Sequence, residues 1–132
     1  MCNFVIFGFI LSLSFPASVF AAENLPAGFI TVSETPMTWA DAKAYCQQQG
    51  GKLPLMGDSE SLAADDISKR IPPVDGFGPI GDPWPSGLSF AYYWSGTVNS
   101  DRSGESWVVL PGNGIDVSNN IQSLQFQLVC VP

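Results

Sequence analysis

Two cysteines, Cys46 and Cys130, constrain this chain more than any other pair of residues in it. The third, Cys2, lies in a leader that would remove it, since Met1 to Ala22 reads MCNFVIFGFILSLSFPASVFAA and carries no charge. Phe4 to Phe15 has the length and apolarity of a signal-peptide core, Pro16 breaks it, and Val19-Phe20-Ala21 offers a cleavage site. The expected division is a signal peptide at 1–21 and one domain at 22–132, secreted, periplasmic or at the cell surface. No Lys or Arg follows Met1, so the n-region is atypical. The competing reading is an uncleaved anchor, for which the run is short of the roughly 20 residues a span needs. In an oxidising compartment two cysteines have a single intramolecular pairing. A Cys46–Cys130 bridge closes a loop of about 80 residues, worth on the order of 4 kcal/mol in the chain-entropy model. Two free thiols or an intermolecular bond are the alternatives.

Asp plus Glu outnumber Lys plus Arg by 12 to 5, giving a net charge of −7. An acidic domain releases no counterions from phosphates, so nucleic acid and anionic membrane surfaces are poor partners. Histidine is absent, which removes the commonest general base and metal ligand. With both remaining cysteines oxidised there is no thiol nucleophile either. Asp65 and Asp66 are adjacent on an expected helix, point in different directions and read as solvated surface. The chain is therefore expected not to be an enzyme.

Phe29-Ile30-Thr31-Val32 is β-branched, apolar and bounded by Gly and Pro, as a first strand should be. Thr38 then reads as an N-cap, with Asp41 three residues on. Trp39, Ala42 and Cys46 share one face of the helix that follows, and Gly50-Gly51 stops it. A second helix is expected from Asp58 or Ser59 to about Arg70, with Leu62, Ala63 and Ile67 as its apolar stripe and Pro72-Pro73 ending it. Residues 72–89 are rich in Pro and Gly and have no periodicity, so they read as a long functional or disordered loop. Strands follow at Ala91–Val98, Glu105–Leu110 and Leu124–Val131, separated by turns at 99–104 and 111–114. In the last strand Leu124, Phe126, Leu128 and Cys130 alternate with polar residues, which points Cys130 inward. This order of elements predicts an α+β fold with an antiparallel sheet.

Met37-Thr38-Trp39-Ala40-Asp41-Ala42-Lys43-Ala44-Tyr45-Cys46, followed by Gly50-Gly51-Lys52-Leu53-Pro54, resembles the first helix of C-type-lectin-like domains. Tyr92 to Thr97, Ser106 to Leu110 and Leu128 to Val131 resemble the later strands of that family. The combination covers nearly all of the chain from about residue 29 and is most similar to the terminal domains of bacterial invasin- and intimin-like adhesins. The resemblance implies two helices packed on antiparallel strands with a long irregular loop that carries binding. It also implies a disulfide joining the first helix to the last strand, matching Cys46 and Cys130. Two features depart from the family. The inner cysteine pair that pins the long loop is missing, and so are the Glu-Pro-Asn, Gln-Pro-Asp and Trp-Asn-Asp motifs that hold calcium and sugar. Calcium-dependent sugar binding is therefore not implied, and no metal or cofactor is expected.

The candidate ligand-binding residues lie in the long loop or directly after it: Asp75, Phe77, Asp82, Trp84 and Phe90. Trp84 stands between Pro83 and Pro85, and a rigid backbone carrying an exposed aromatic suits a recognition anchor. Its alternative is to fold back over the sheet as part of the loop's own core. Trp39, Trp94 and Trp107 fall in regular patterns and are expected in the core. Asp75 and Asp82, or Asp101, Asn113, Asp116, Asn119 and Asn120 in turns, have oxygen ligands but match no calcium-loop spacing, and such residues usually satisfy turn geometry. The expected function is a secreted or surface-associated bacterial binding module, adhesin-like and calcium-independent, with a protein or carbohydrate partner such as one on a host cell surface. The alternative is an exported structural or inhibitory subunit that docks on another periplasmic protein through its sheet.

Overall fold

The computed structural model describes residues 25–69 and 71–132. The expected signal peptide, and Arg70 at the expected end of the second helix, lie outside the described residues. In chain order the elements are β1 (Thr31–Met37), α1 (Trp39–Gln48), β2 (Ser61–Leu62), α2 (Ala64–Lys69), β3 (Pro73–Val74) and β4 (Gly78–Pro79). Then come β5 (Tyr93–Asn99), β6 (Glu105–Leu110), β7 (Asp116–Ile121) and β8 (Phe126–Cys130). This is an α+β fold whose main sheet runs β1-β8-β5-β6-β7, with β2 added alongside β5. Most pairs are antiparallel, while β5 lies parallel to both β8 and β2. The two ends of the domain meet in one ladder, where Thr31 faces Cys130 and Val32 faces Val129. Among the described residues no helix is long and apolar enough to cross a membrane.

Strand runs such as Trp107-Val108-Val109 and Leu128-Val129-Cys130 are continuous because the sheet is covered on both faces. Tyr93, Trp107, Val109 and Val129 face one core, which Phe29, Met56, Leu62, Val74, Phe77, Leu88 and Ile115 complete. Trp94, Val108, Leu128 and Cys130 face the other, closed by Ala42 and Cys46 of α1 and by Leu53. The expected single inward face of the last strand is thus half of the picture, since Val129 on the other side is fully buried. Leu124 is 45 % exposed, because it precedes β8 in a turn where its amide donates to the Ile121 carbonyl.

Helix α1 begins where its capping signal stands, with the Thr38 hydroxyl accepting from the Asp41 amide at 3.4 Å. Its end uses two glycines for different reasons. Gly50 adopts a left-handed conformation at φ +83. Gly51 lets the backbone approach the last strand, because a Cβ there would lie 2.3 Å from the Val131 oxygen. Lys52 and Val131 then exchange both backbone hydrogen bonds, at 2.9 and 2.8 Å.

Three elements differ from expectation. β1 begins later and runs through Pro36 to Met37, which an edge strand with an irregular register tolerates. The second helix is six residues, Ala64–Lys69, because the backbone before it is taken by β5 and the residue after it: Val98 donates to Glu60 and Ser100 to Leu62. Leu62 is buried from that short strand and not from a helix. β7 has no counterpart among the expected strands; Asp116, Asn119 and Asn120 lie in it, paired along its length with β6, and not in a turn.

Candidate functional site

Proline and glycine fold the long loop tightly onto the sheet. A small hairpin pairs Pro73 with Pro79 and Val74 with Gly78, and Gly76 turns it at φ +77, where a Cβ would lie 2.4 Å from the Phe29 ring. Gly81 donates to the Ile115 carbonyl at 2.7 Å and Ile115 donates back to Asp82 at 2.8 Å. The loop is thus held by backbone hydrogen bonds. The Cys46–Cys130 bridge joins α1 to β8 with a Cα–Cα distance of 5.4 Å, and both residues are fully buried.

The five loop candidates do not form one surface. Asp75 is half-buried, and its carboxylate accepts the Leu55 amide at 3.2 Å, a loop-fastening contact. Phe77 is only 5 % exposed and belongs to the core, so it offers no face to a ligand. Asp82 is exposed and meets β7's approach through its carbonyl. Trp84 is half-buried and packs on the loop-side core, with ring centroids 5.2 Å from Phe77 and 5.7 Å from Tyr93. Phe90 is the one exposed ring among the five, at 67 %.

The indoles of Trp39, Trp94 and Trp107 donate to the carbonyls of Ser95, Met37 and Leu62 at 2.9, 2.8 and 3.0 Å. The Trp84 indole nitrogen is buried and finds no acceptor among the described residues. That pattern marks a side chain placed for its ring, not for its N–H.

Tyr92 was not among the expected site residues, yet it is 48 % exposed and two positions from Phe90. Phe90 packs edge-on to Trp84 at 5.7 Å, and Trp84 leads through Phe77 to Phe29. Tyr92 packs on Phe126 at 5.7 Å, and Phe126 packs edge-on to Trp94 at 4.9 Å. The two exposed rings are therefore outer ends of aromatic stacks that enter the two cores. Between them Tyr93 donates its hydroxyl to the Ser89 carbonyl at 3.1 Å, and the Ser89 hydroxyl donates to Gln127 at 3.3 Å. Burial pushes the Tyr93 hydroxyl above its ordinary pKa, the Glu34 charge adds to that, and the hydrogen bonds to Ser89 pull it back. Tyr93 is thus a neutral fastener of the segment that carries both exposed rings.

Among the described residues, no group of three or more His, Cys, Asp or Glu side chains is arranged to hold a metal ion. Comparison with family models, with curated proteins and with solved structures returned no match.

Proposed function

We propose that this chain is an exported binding module with a C-type-lectin-like fold, secreted or displayed on a bacterial surface, which takes a protein or glycan ligand without calcium. The observation that carries this reading is the pair Phe90 and Tyr92, exposed at 67 % and 48 % and each backed by a second ring. A rigid exposed aromatic provides contact area at low entropic cost, which is what a recognition anchor requires. The neighbouring Ser89 and Gln127 supply polar groups for orientation. A bridge buried between α1 and β8 supports export, since such bonds persist in oxidising compartments.

The second reading, a structural or inhibitory subunit docking through its sheet, gains support from the withdrawal of Phe77 and Trp84 into the core. Of the sheet's two edges, β1 exposes Glu34 and Thr35 and β7 is polar along Ser118, Asn119 and Asn120, which favours the first reading. The test is retention of the labelled mature domain on a glycan array and on layers of cultured animal cells. Retention by a defined subset, unaffected by a chelator, is expected; uniform lack of retention on both would overturn the proposal.

A further inference from the structure

Four asparagines occur among the described residues, Asn99, Asn113, Asn119 and Asn120, and three of them are held in place. Asn99 is 6 % exposed and its side-chain oxygen accepts the Asp101 amide at 2.9 Å. Asn119 and Asn120 lie in the β6–β7 ladder opposite Trp107 and Ser106, and the Asn119 side-chain amide donates to Glu105. Asn113 differs in each respect. It is exposed in the segment joining β6 to β7. Neither its side chain nor the backbone amide of Gly114 has a hydrogen-bond partner among the described residues. It borders an open depression of about 440 Å³ shared with Ile80 and Gly81, so solvent reaches it. Glycine follows it, whereas Ser100, Asn120 and Ile121 follow the other three.

We infer that Asn113 is a site of spontaneous deamidation in the folded protein. The Gly114 backbone nitrogen, giving its proton to hydroxide, attacks the carbonyl carbon of the Asn113 side chain. A C–N bond forms to close a succinimide ring, the bond to the side-chain nitrogen breaks, and that nitrogen takes a proton from water and leaves as ammonia. A second water adds to one of the two ring carbonyls. The product is aspartate, or isoaspartate in which the chain continues through the former side-chain carbon. Glycine at the attacking position leaves the ring closure unhindered, because it has no Cβ. Asp75-Gly76 has the same following residue, but the Asp75 carboxylate is fastened to the Leu55 amide at 3.2 Å.

The two products meet different surroundings. A Cβ on Gly114 would lie 2.6 Å from the Gly81 oxygen and 3.0 Å from its carbonyl carbon, so the two backbones are in close contact there. Ile115, the next residue, is buried and clasps the loop: Gly81 donates to its carbonyl at 2.7 Å, and its amide donates to the Asp82 carbonyl at 2.8 Å. Aspartate keeps the backbone length and therefore the clasp. Isoaspartate inserts a methylene into the backbone directly before the Gly114–Gly81 contact, where there is no room for it, and the clasp opens. The clasp holds the residues just before Pro83 and Trp84, so its loss loosens the segment on which Phe90 packs.

The test incubates the disulfide-bonded protein in mildly alkaline buffer at physiological temperature, folded and in urea, and follows it by peptide mapping with isoaspartate detection. The mass gain of an amide-to-acid conversion is expected in the Asn113 peptide and to be absent in Asn113→Ser. Its rate in the folded protein should lie within roughly tenfold of that in urea, because an exposed loop carries little opening free energy. In the isolated isoaspartate form, amide exchange at Ile115 should be faster than in the parent by roughly tenfold, the factor for one lost hydrogen bond. Asn113→Asp, which stands for the other product, should match the parent. An Asn113 that stays intact in the folded protein while the urea-unfolded chain converts would overturn the assignment, as would an undiminished mass gain in Asn113→Ser. Unchanged Ile115 exchange in the isoaspartate form would overturn the opening of the clasp.

Discussion

Replacing Trp84 separates a recognition anchor from a core side chain. Its ring meets Phe77, Tyr93 and Phe90 at centroid distances of 5.2, 5.7 and 5.7 Å. Removing a core Trp side chain costs about 3–5 kcal/mol, and Trp84 is half-buried, so Trp84→Ala should cost about 3 kcal/mol. For a domain of this size that lowers the melting temperature by about 12 °C, at roughly 4 °C per kcal/mol. Trp84→Phe behaves differently. It keeps a ring against Phe77 and Tyr93 and removes the indole N–H that has no acceptor, a group whose burial unpaired costs about 1–3 kcal/mol. The lost ring area and the relieved donor offset each other, so Trp84→Phe should stay within about 1 kcal/mol of the parent. Thermal unfolding of both variants, followed by near- and far-UV circular dichroism, provides the readout. The reasoning is refuted if Trp84→Ala melts within 3 °C or so of the parent, or if Trp84→Phe loses as much stability as Trp84→Ala.

Replacing both bridging cysteines by Ala should cost about 4.5 kcal/mol, the chain-entropy value for a bridge spanning 84 positions; urea unfolding measures it, and a loss under 1 kcal/mol or so contradicts the role assigned to the bridge. Gly51→Ala forces a methyl group against the Val131 carbonyl, so a loss of about 1–3 kcal/mol is expected by the same urea assay. Tyr93 has a raised folded-state pKa, so its protonated form is favoured by folding. Its contribution is full below about pH 10 and declines as the pH rises from there through the folded value. Melting temperatures between about pH 9 and pH 11 should fall with a slope that Tyr93→Phe reduces; an identical slope in that variant would count against the assignment.

What could be read from residues alone was what local chemistry decides. Thr38 and Gly50 bound α1 because capping and left-handed turns depend on a few neighbouring atoms. Cys46 and Cys130 were placed on inward faces by periodicity, and they meet in the structure. The expected second helix is too long because Leu62, Ala63 and Ile67 have helical spacing, while the hydrogen bonds that claim residues 60–62 come from Val98 and Ser100, far along the chain. β7 was invisible because a polar edge strand needs only a partner, and Trp107-Val108-Val109 provides it. The site was harder. In a Pro- and Gly-rich loop no period says which ring turns inward, so the sequence favours Trp84, between Pro83 and Pro85, over Phe90 as the exposed ring. Tyr92 falls within the expected strand Ala91–Val98, and its exposure follows from β5 starting two residues later, at Tyr93.

The most direct test of the proposed binding surface compares the parent domain with a Phe90→Ala/Tyr92→Ala double variant on the glycan or cell surface that retains the parent. Both side chains are exposed, so the variant should melt within a few degrees of the parent while its affinity falls by at least roughly tenfold, the loss expected from removing hot-spot aromatics. Retention of the parent should be the same with and without a calcium chelator. Equal affinity of parent and double variant at matched stability would contradict the account, and so would retention abolished by the chelator.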